Sequence, residues 1–600
     1  MGRFSPLIVA ALTSSLLAGC SGKGQTLSAN DDSAAPRTME SLQVPAGFDF
    51  ATTQGVDVEV TVVDPTGAPL SGVRVDVRRP VDGGTAVLSG SGATDASGRF
   101  ERRFEIPAHT QELELEVAYV GVSGQATVPI RNGSVACVFG ADTGRRAAGT
   151  GLAGGKVTVL PGVYTYMGSW NSLGVPTYLT PQSDTIDASF LADINASLPE
   201  YRPVPQFHPE YLESGAVTDV KLGEAADVWV TFVHEGAGFR NALGYYTHPI
   251  GQSPNSLADI ADLKVIFPNV SYVNSGGGLH SGDKVFLGHF PAGTEIDWFL
   301  ATDGYDGSRV FDRRWTVYSE PQLNPEANPD LKQHTVLLRD RGRERVVMGF
   351  EDLRRESSDN DFNDAVFYVT AVPFAAVITD NMATVTGVVD TDHDGVGDFS
   401  EDYPLDPARA YNNYFPTANG FATLAYEDMW PTKGDYDFND LVVDYRINEV
   451  TNAANLVVDI IGDFKVRAAG ALFDNGLAIA LPLSPGDINY VHGSHLTETY
   501  MNVTPNSVEA GVAQAVAVVF DNAGTVVPRP SGYYVNTQLD APSVAPQTVS
   551  LDINLTTPRR LTMTPPYNPF AIINRQRGQE VHLPGRSPTS LATAGLFNTG

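Results

Sequence analysis

Apolar and polar residues alternate along most of this chain. Val56, Val58, Val60 and Val62 alternate with Asp57, Glu59 and Thr61, and Val73, Val75 and Val77 alternate with Arg74, Asp76 and Arg78. A period of two marks strands with one buried face. Asp64-Pro65-Thr66-Gly67 between them is a turn, and TDASGRF (94–100) followed by Leu113, Leu115 and Val117 continues the pattern. Further strands are predicted at Val346–Phe350, Ala365–Val369, Phe421–Tyr426, Leu441–Tyr445, Asn455–Ile461, Leu477–Leu481 and Ala515–Phe520. Helical spacing is confined to Ala188–Leu198 and Leu257–Leu263, while 58 Gly and 40 Pro punctuate the rest. The expected fold class is mainly β, a multidomain β-sandwich architecture with few short helices.

Composition places the chain among globular proteins: of 600 residues, 42% are hydrophobic and 18% charged, enough for several cores. Net charge is −31, from 70 acidic and 39 basic residues, and no basic stripe is present. Phosphate binding needs such a stripe, so no nucleic-acid partner is expected. The Gly-rich stretch TGRRAAGTGLAGG (143–155) reads as a connector. Cys20 and Cys137 are the two cysteines; Cys137, among Val135, Ala136, Val138 and Phe139, is expected to be a small core residue.

Much of the acidity is concentrated in a cassette that occurs twice. FEDLRRESSDNDFNDAVFYV (350–369) aligns without a gap with YEDMWPTKGDYDFNDLVVDY (426–445), 76 residues further on. Glu351, Asp352, Asp359, Asp361, Asn363 and Asp364 match Glu427, Asp428, Asp435, Asp437, Asn439 and Asp440. In a strand-loop-strand reading, the Glu-Asp pair ends one strand and D-x-D-x-N-D opens the next, so the oxygens meet across the loop base. Two carboxylates about 4 Å apart repel by roughly 4 kcal/mol at an effective dielectric near 20. A hard divalent cation, Ca2+ above all, resolves that repulsion. Phe362 or Phe438 is expected to anchor the turn in the core. The alternative, that Asp and Asn cap tight turns through backbone bonds, stays open.

A third acidic loop, DTDHDGVGDFSE (390–401), lies between the copies and satisfies D-x-D-x-D-G-x5-E. Asp390, Asp392 and Asp394 supply the first carboxylates, Gly395 the sharp turn and Val396 a carbonyl, with Asp398 ninth and Glu401 twelfth. The flanks lack the two amphipathic helices of an EF-hand. The loop resembles the acidic repeat of thrombospondin type 3, which implies a rigidifying linker rather than a switch.

At the start, Arg3, the apolar run Pro6–Ala18 and the box Leu17-Ala18-Gly19-Cys20 resemble a bacterial lipoprotein signal, which implies acylation of Cys20. Ser21 after the cysteine implies the outer membrane, by resemblance to Gram-negative lipoproteins. The mature chain would then form no internal disulfide.

Residues 50–132 resemble the carboxypeptidase-regulatory-like or transthyretin-like sandwich. DVWVTFVHEGAGFRNALGYY, SGGGLHSGDKVFLGHFPAGTEIDWFL and HTVLLRDRGRERVVMGFEDL, ending in NDFNDAVF, resemble a bacterial domain of unknown function that precedes LruC domains; GFATLAYEDMWPTKGDYDFNDLVVDYR (420–446) resembles LruC itself. The resemblances divide the chain into a signal (1–20), a tether (21–49), a sandwich (50–132), a connecting segment (133–204), a β-rich domain (205–372), a linker with the calcium loop (373–409) and an LruC-type domain (410–600).

An enzymatic constellation is not recognisable. His234-Glu235 has Gly238 where H-E-x-x-H needs its second histidine, and neither a nucleophile elbow nor a P-loop occurs. The expectation is a non-enzymatic, calcium-binding surface lipoprotein with a structural or adhesive role. It would be held to the outer membrane or cell surface by its lipid anchor, with a surface protein or polysaccharide as possible ligand. The alternative is a polysaccharide-binding or glycoside-hydrolysing surface protein.

Overall fold

The structure is a computed structural model that describes residues 51–81, 84–122, 124–140, 164–273, 275–432 and 434–595. Cys20, the signal and tether, and the connector 143–155 lie outside the described residues. The described chain is mainly β, with several separate sheets, as the alternating pattern predicts. Among the described residues no helix is long and apolar enough to cross a membrane.

Near the N-terminus, strand Thr53–Val62 lies between antiparallel Arg99–Pro107 and parallel Ser134–Phe139. The alternating valines Val56, Val58 and Val60 bury against Val75, Val77 and Leu115. Strands Arg74–Arg79 and Val87–Ala93 belong to a long second sheet, which runs through the Gly90–Asn413 pair into Tyr411–Phe415 and on into the C-terminal strands. Cys137 lies on the inward face of Ser134–Phe139, between outward-turned Ala136 and Val138, and packs half-buried against this core; burial raises its thiol pKa.

Two further sandwiches follow. In the first, strands Ala226–Glu235, Ala365–Val372 and Arg345–Phe350 pack Phe232, Phe367 and Met348 against Leu243, Trp298 and Leu300. The latter three belong to the facing sheet of Ala242–Pro249 and Thr294–Ala301. In the second, Ala422–Tyr426, Leu441–Thr451 and Val457–Ala468 pack against Gly476–Ala480, Val516–Phe520 and Asn568–Ile572.

These two sandwiches are built alike but in different chain order. Phe350 pairs with Ala365 and Gly349 with Val366; Tyr426 pairs with Leu441 and Ala425 with Val442. On the other side, His234 pairs with Val366 and Phe232 with Phe367, while Ala468 pairs with Val442 and Val466 with Val443. Both ladders thus skip one residue, Val233 or Arg467, at the same bulge. The frame G-A-x-F-x-N-x-L follows in both, at Gly236–Leu243 and Gly470–Leu477. In the first sandwich this frame precedes its cassette in the chain, and in the second it follows. The arrangement is a circular permutation of one unit.

Helix Ala188–Ser197 covers the first cassette alone. Asp187 caps it by accepting from the Phe190 amide at 2.9 Å, and Phe190, Leu191 and Ile194 pack with Phe362, Val366 and Tyr368. The expected helix at Leu257–Leu263 is not formed: Leu257–Asp259 is a single 3-10 turn capped by Ser256, and Leu263 opens strand Leu263–Phe267. Three residues with no buried side chain are too few to sustain a helix by packing.

Candidate metal centres

Each cassette leaves a strand, loops, and enters the next strand through D-x-D-F-N-D. The residues between the acidic ones are left-handed: Asn360 and Phe362 have φ of 61° and 60°, Tyr436 and Phe438 of 60° and 53°. Such a conformation costs a non-glycine residue roughly 1–2 kcal/mol, so the surroundings must over-determine it. The alternation turns the acidic side chains inward. One oxygen each from Glu351, Asp359 and Asp361 lies within 4.8 Å of the others, as do oxygens of Glu351, Asp352 and Asp364, and of Glu427, Asp435 and Asp437.

The loop base is closed identically in both. The Asp352 amide donates to Asp364 Oδ2 at 2.8 Å, and the Asp428 amide to Asp440 Oδ2 at 2.8 Å. The Asn363 and Asn439 amides each donate to the preceding aspartate, Asp361 or Asp437, at 3.3 Å. Outer support comes from the permuted frame: Asn241 Nδ2 donates to Asp352 Oδ2 at 2.6 Å, and Asn475 Nδ2 to Asp428 Oδ2 at 2.9 Å. Gly236 and Gly470 back against Asn363 and Asn439; a Cβ on Gly470 would stand 2.9 Å from the Asn439 carbonyl oxygen. Sequence reasoning missed these four supporting residues, although the shared G-A-x-F-x-N-x-L frame carries the signal.

Burial separates the copies at one carboxylate position: Asp361 is buried where Asp437 is exposed, while Glu351 and Glu427 are both buried and Asp359 and Asp435 both exposed. Glu351 is 0% exposed, and neither of its carboxylate oxygens has a hydrogen-bond partner. Burial, then the charges of Asp361 and Asp359, push it up to about 8. Burial likewise pushes Asp361 up to about 7 and Asp352 to about 6. Glu200, beyond the covering helix, joins this cluster and is pushed up to about 8 by burial and by Asp361. A buried anionic knot of this kind needs a cation or protons.

In the second cassette, Glu427 accepts from the Phe438 amide at 2.6 Å and the Tyr436 amide at 3.3 Å, while Asp435 and Asp437 are exposed. Asn439 donates to Asp437 through its side chain. Burial pushes Asp440 up to about 7, with Asp428 and Glu427 adding to it. The expected aromatic anchor holds at Phe362, which is buried, but Phe438 is 53% exposed. Among the described residues no helix roofs the second loop, and its phenyl ring stays in solvent.

The third loop brings Asp390, Asp392 and Asp394 within 4.8 Å of one another around Gly395, whose φ is 97°. Asp392 Oδ2, Asp394 Oδ2 and both oxygens of buried Glu401 lack partners. Glu401 is pushed up to about 8 by burial, then by Asp394 and Asp392. Val396 sinks its side chain among Ala93, Ala410 and Tyr411, fixing the loop to the long sheet. Asp398 is not among the three converging carboxylates: its oxygens accept from the Thr391 amide and hydroxyl, each at 2.7 Å, while its charge adds to the upward push on Glu401. All three loops therefore offer donor sets that could hold a metal ion, with chemistry suited to a hard cation.

His234 and Glu235 are both buried at the end of strand Ala226–Glu235. Burial drives the imidazole down to about 3, and Glu235 Oε2 accepts from the Tyr272 amide at 3.3 Å.

Three family models match parts of the chain, each described as a domain of unknown function: DUF8469 over residues 54–139, DUF4114 over 290–372 and DUF4842 over 455–600. The chain is thus similar to three uncharacterised domain families, and the first cassette ends within the second of them. No curated protein matches. Among solved structures, a 9R-lipoxygenase from Cyanothece PCC8801 is similar at 12% identity, over 46% of this chain and 43% of that one, with a TM-score of 0.12. At that level neither fold nor activity is transferred.

Proposed function

We propose that this protein is a calcium-stapled surface lipoprotein of the LruC-containing kind, anchored through Cys20 at the outer membrane or cell surface, with a structural or adhesive role. The observation that carries the reading is the permuted duplication. Two loops at different places in the chain share the acidic frame, the left-handed turns, the supporting Asn and the close Gly. Turn capping alone would not require the distant asparagine to recur after permutation. Calcium suits oxygen-only sets in irregular loops, and binding to the folded state alone stabilises by about 4 kcal/mol when free ion exceeds the dissociation constant a thousandfold. Glycoside hydrolysis fits less well, since it needs carboxyls roughly 5–10 Å apart facing a cleft. Here the convergent oxygens lie within 4.8 Å.

The test is a calcium titration of chelator-stripped protein beginning after Cys20, with bound metal and melting temperature followed together. Uptake of several ions with a large rise in melting temperature supports the reading; no uptake refutes it. A polysaccharide-binding reading rests on one observation, the exposed Trp430, Tyr436 and Phe438 around the second cassette. A Trp430→Ala variant that loses retention on a polysaccharide column would favour it.

A further inference from the structure

A fourth cluster lies away from all three loops, on the outer face of the sheet containing Ala242–Pro249 and Thr294–Ala301. His248 pairs with Glu295 and Tyr246 with Asp297, so the four side chains share one face. Glu320 arrives from the chain end beyond strand Thr316–Tyr318, and Asp219 from the residue before Val220–Lys221. One atom each from His248, Glu295, Asp297 and Glu320 lies within 4.8 Å of the others.

The hydrogen bonds leave a defined set of donors. Asp219 is satisfied by the hydroxyls of Ser319 at 2.8 Å and Thr218 at 3.1 Å, and Glu295 Oε1 by Lys221 at 2.9 Å. Glu320 Oε2 accepts from Gln322 at 2.7 Å, but its Oε1 has no hydrogen-bond partner. Asp297 is 0% exposed; its Oδ2 faces His248 Nε2, and its Oδ1 has no hydrogen-bond donor. His248 Nδ1 lies 2.9 Å from the Pro249 carbonyl, which can only accept, so Nδ1 carries the proton. Its Nε2 points at Asp297 Oδ2, 2.7 Å away. A ring nitrogen fixed by a backbone carbonyl, with the other facing carboxylates, is the usual disposition of a metal-ligating histidine.

Charge points the same way. Even with imidazolium at His248 and ammonium at Lys221, the four buried carboxylates leave two negative charges uncompensated. On the same outer face of the permuted partner sandwich, where Phe570 stands opposite Ala478 as Phe299 does opposite Gly244, the chain solves this internally. There, buried Glu509 and Glu580 both accept from Arg577. A cleft of about 410 Å³ lined by Tyr246, His248, Gln252 and Asp259 reaches the cluster at its His248 edge.

We propose that His248, Asp297 and Glu320, supported by Glu295 and Asp219, form a site for a divalent transition ion of the manganese or zinc class. The imidazole nitrogen distinguishes it from the oxygen-only loops and favours such an ion over calcium. The competing occupant is a proton shared among the carboxyls, since burial and the neighbouring Asp219 push Asp297 upward.

The full chain, stripped with chelator and then saturated with calcium to fill the loops, is titrated with Mn2+ and read by electron paramagnetic resonance. One Mn2+ that excess calcium does not displace, showing coupling to a single imidazole nitrogen, is the expected result. His248→Gln should abolish that coupling, and Asp297→Asn should weaken the affinity more than about tenfold. Absence of nitrogen coupling in the wild type, or its persistence in His248→Gln, would overturn the proposal. So would an Asp297→Asn protein that melts higher than wild type and binds Mn2+ unchanged, the signature of a shared proton. Because calcium is already saturating, failure here is distinct from failure of the calcium reading.

Discussion

The two cassettes have the same six oxygen-bearing residues at the same loop positions and left-handed turns at the same places, yet one is roofed and the other open. Helix Ala188–Ser197, Glu200 and Tyr201 close over the first: the Tyr201 amide donates to Asp361 at 3.0 Å, and Asn363 Nδ2 to the Leu198 carbonyl at 3.2 Å. The second has Met429, Trp430, Tyr436 and Phe438 in solvent. The difference teaches that the acidic frame and its Asn-Gly support specify the loop, while tertiary cover decides how much its formation is worth. A buried knot of carboxylates depends on its cation far more than an exposed one, because water does not screen it.

The largest separation is expected at the aromatic anchors. Phe362→Ala should destabilise by about 3–5 kcal/mol through the cavity it leaves among Leu198, Val366 and Tyr368. Phe438→Ala should stay within about 0.5 kcal/mol, as at most exposed positions. Chemical denaturation in saturating calcium measures both, and equal losses would break the comparison.

Next comes a change of sign. Glu351→Gln should weaken calcium binding and cost about 2–4 kcal/mol in calcium, yet raise stability by about 1 kcal/mol in chelator at neutral pH, where the folded chain no longer has to take up a proton at a buried carboxyl. Glu427→Gln should lower stability in both conditions, since its carboxylate accepts two backbone amides that a neutral amide holds less well. Melting in calcium and in chelator separates the two; parallel behaviour would mean that burial does not govern the response.

How far the sequence foretold this follows from the same contrast. Strands and acidic loops were legible because a period of two and a repeated ungapped frame are local signals. The Phe438 anchor failed because nothing local tells whether a helix from another segment will lie above it. The Asn241 and Asn475 supports went unnoticed because permutation puts one before and one after its cassette, so no single offset aligns both. The cluster around Asp297 was not foreseen either: Asp219, His248, Asp297 and Glu320 meet only through antiparallel register and carry no spacing motif.

Those supporting asparagines give the third expectation. Asn241→Ala should reduce calcium affinity of the first loop by about 10–100-fold, or roughly 1.4–2.7 kcal/mol, and Asn475→Ala should act on the second by the lower end of that range. Asp352 and Asp428 are both buried and each loses a side-chain partner, but the second loop's outer ligands Asp435 and Asp437 are exposed, so water reaches that loop more readily. Isothermal titration of each variant measures the loss, and an unchanged affinity in both would reduce the permuted frame to a folding device.

The smallest effect is in pH dependence, and its sign follows from the raised carboxyls. Without metal, Glu351 near 8 and Asp361 near 7 hold protons that the unfolded chain releases near 4.5 and 3.8. Their contribution to apo stability is therefore complete below about pH 4 and is lost as pH rises through 8. Calcium must expel those protons, so affinity climbs over the same window, up to about tenfold per pH unit for each proton displaced. In the second cassette the upward push falls on Asp440, near 7. Between pH 6 and 8 the first loop should gain affinity more steeply than the second, by a slope difference of about one proton. Calcium titrations of Asp437→Ala and Asp361→Ala variants, each leaving the other cassette intact, measure the two slopes. A steeper slope for the open loop would mean that exposure, not burial, sets the proton competition.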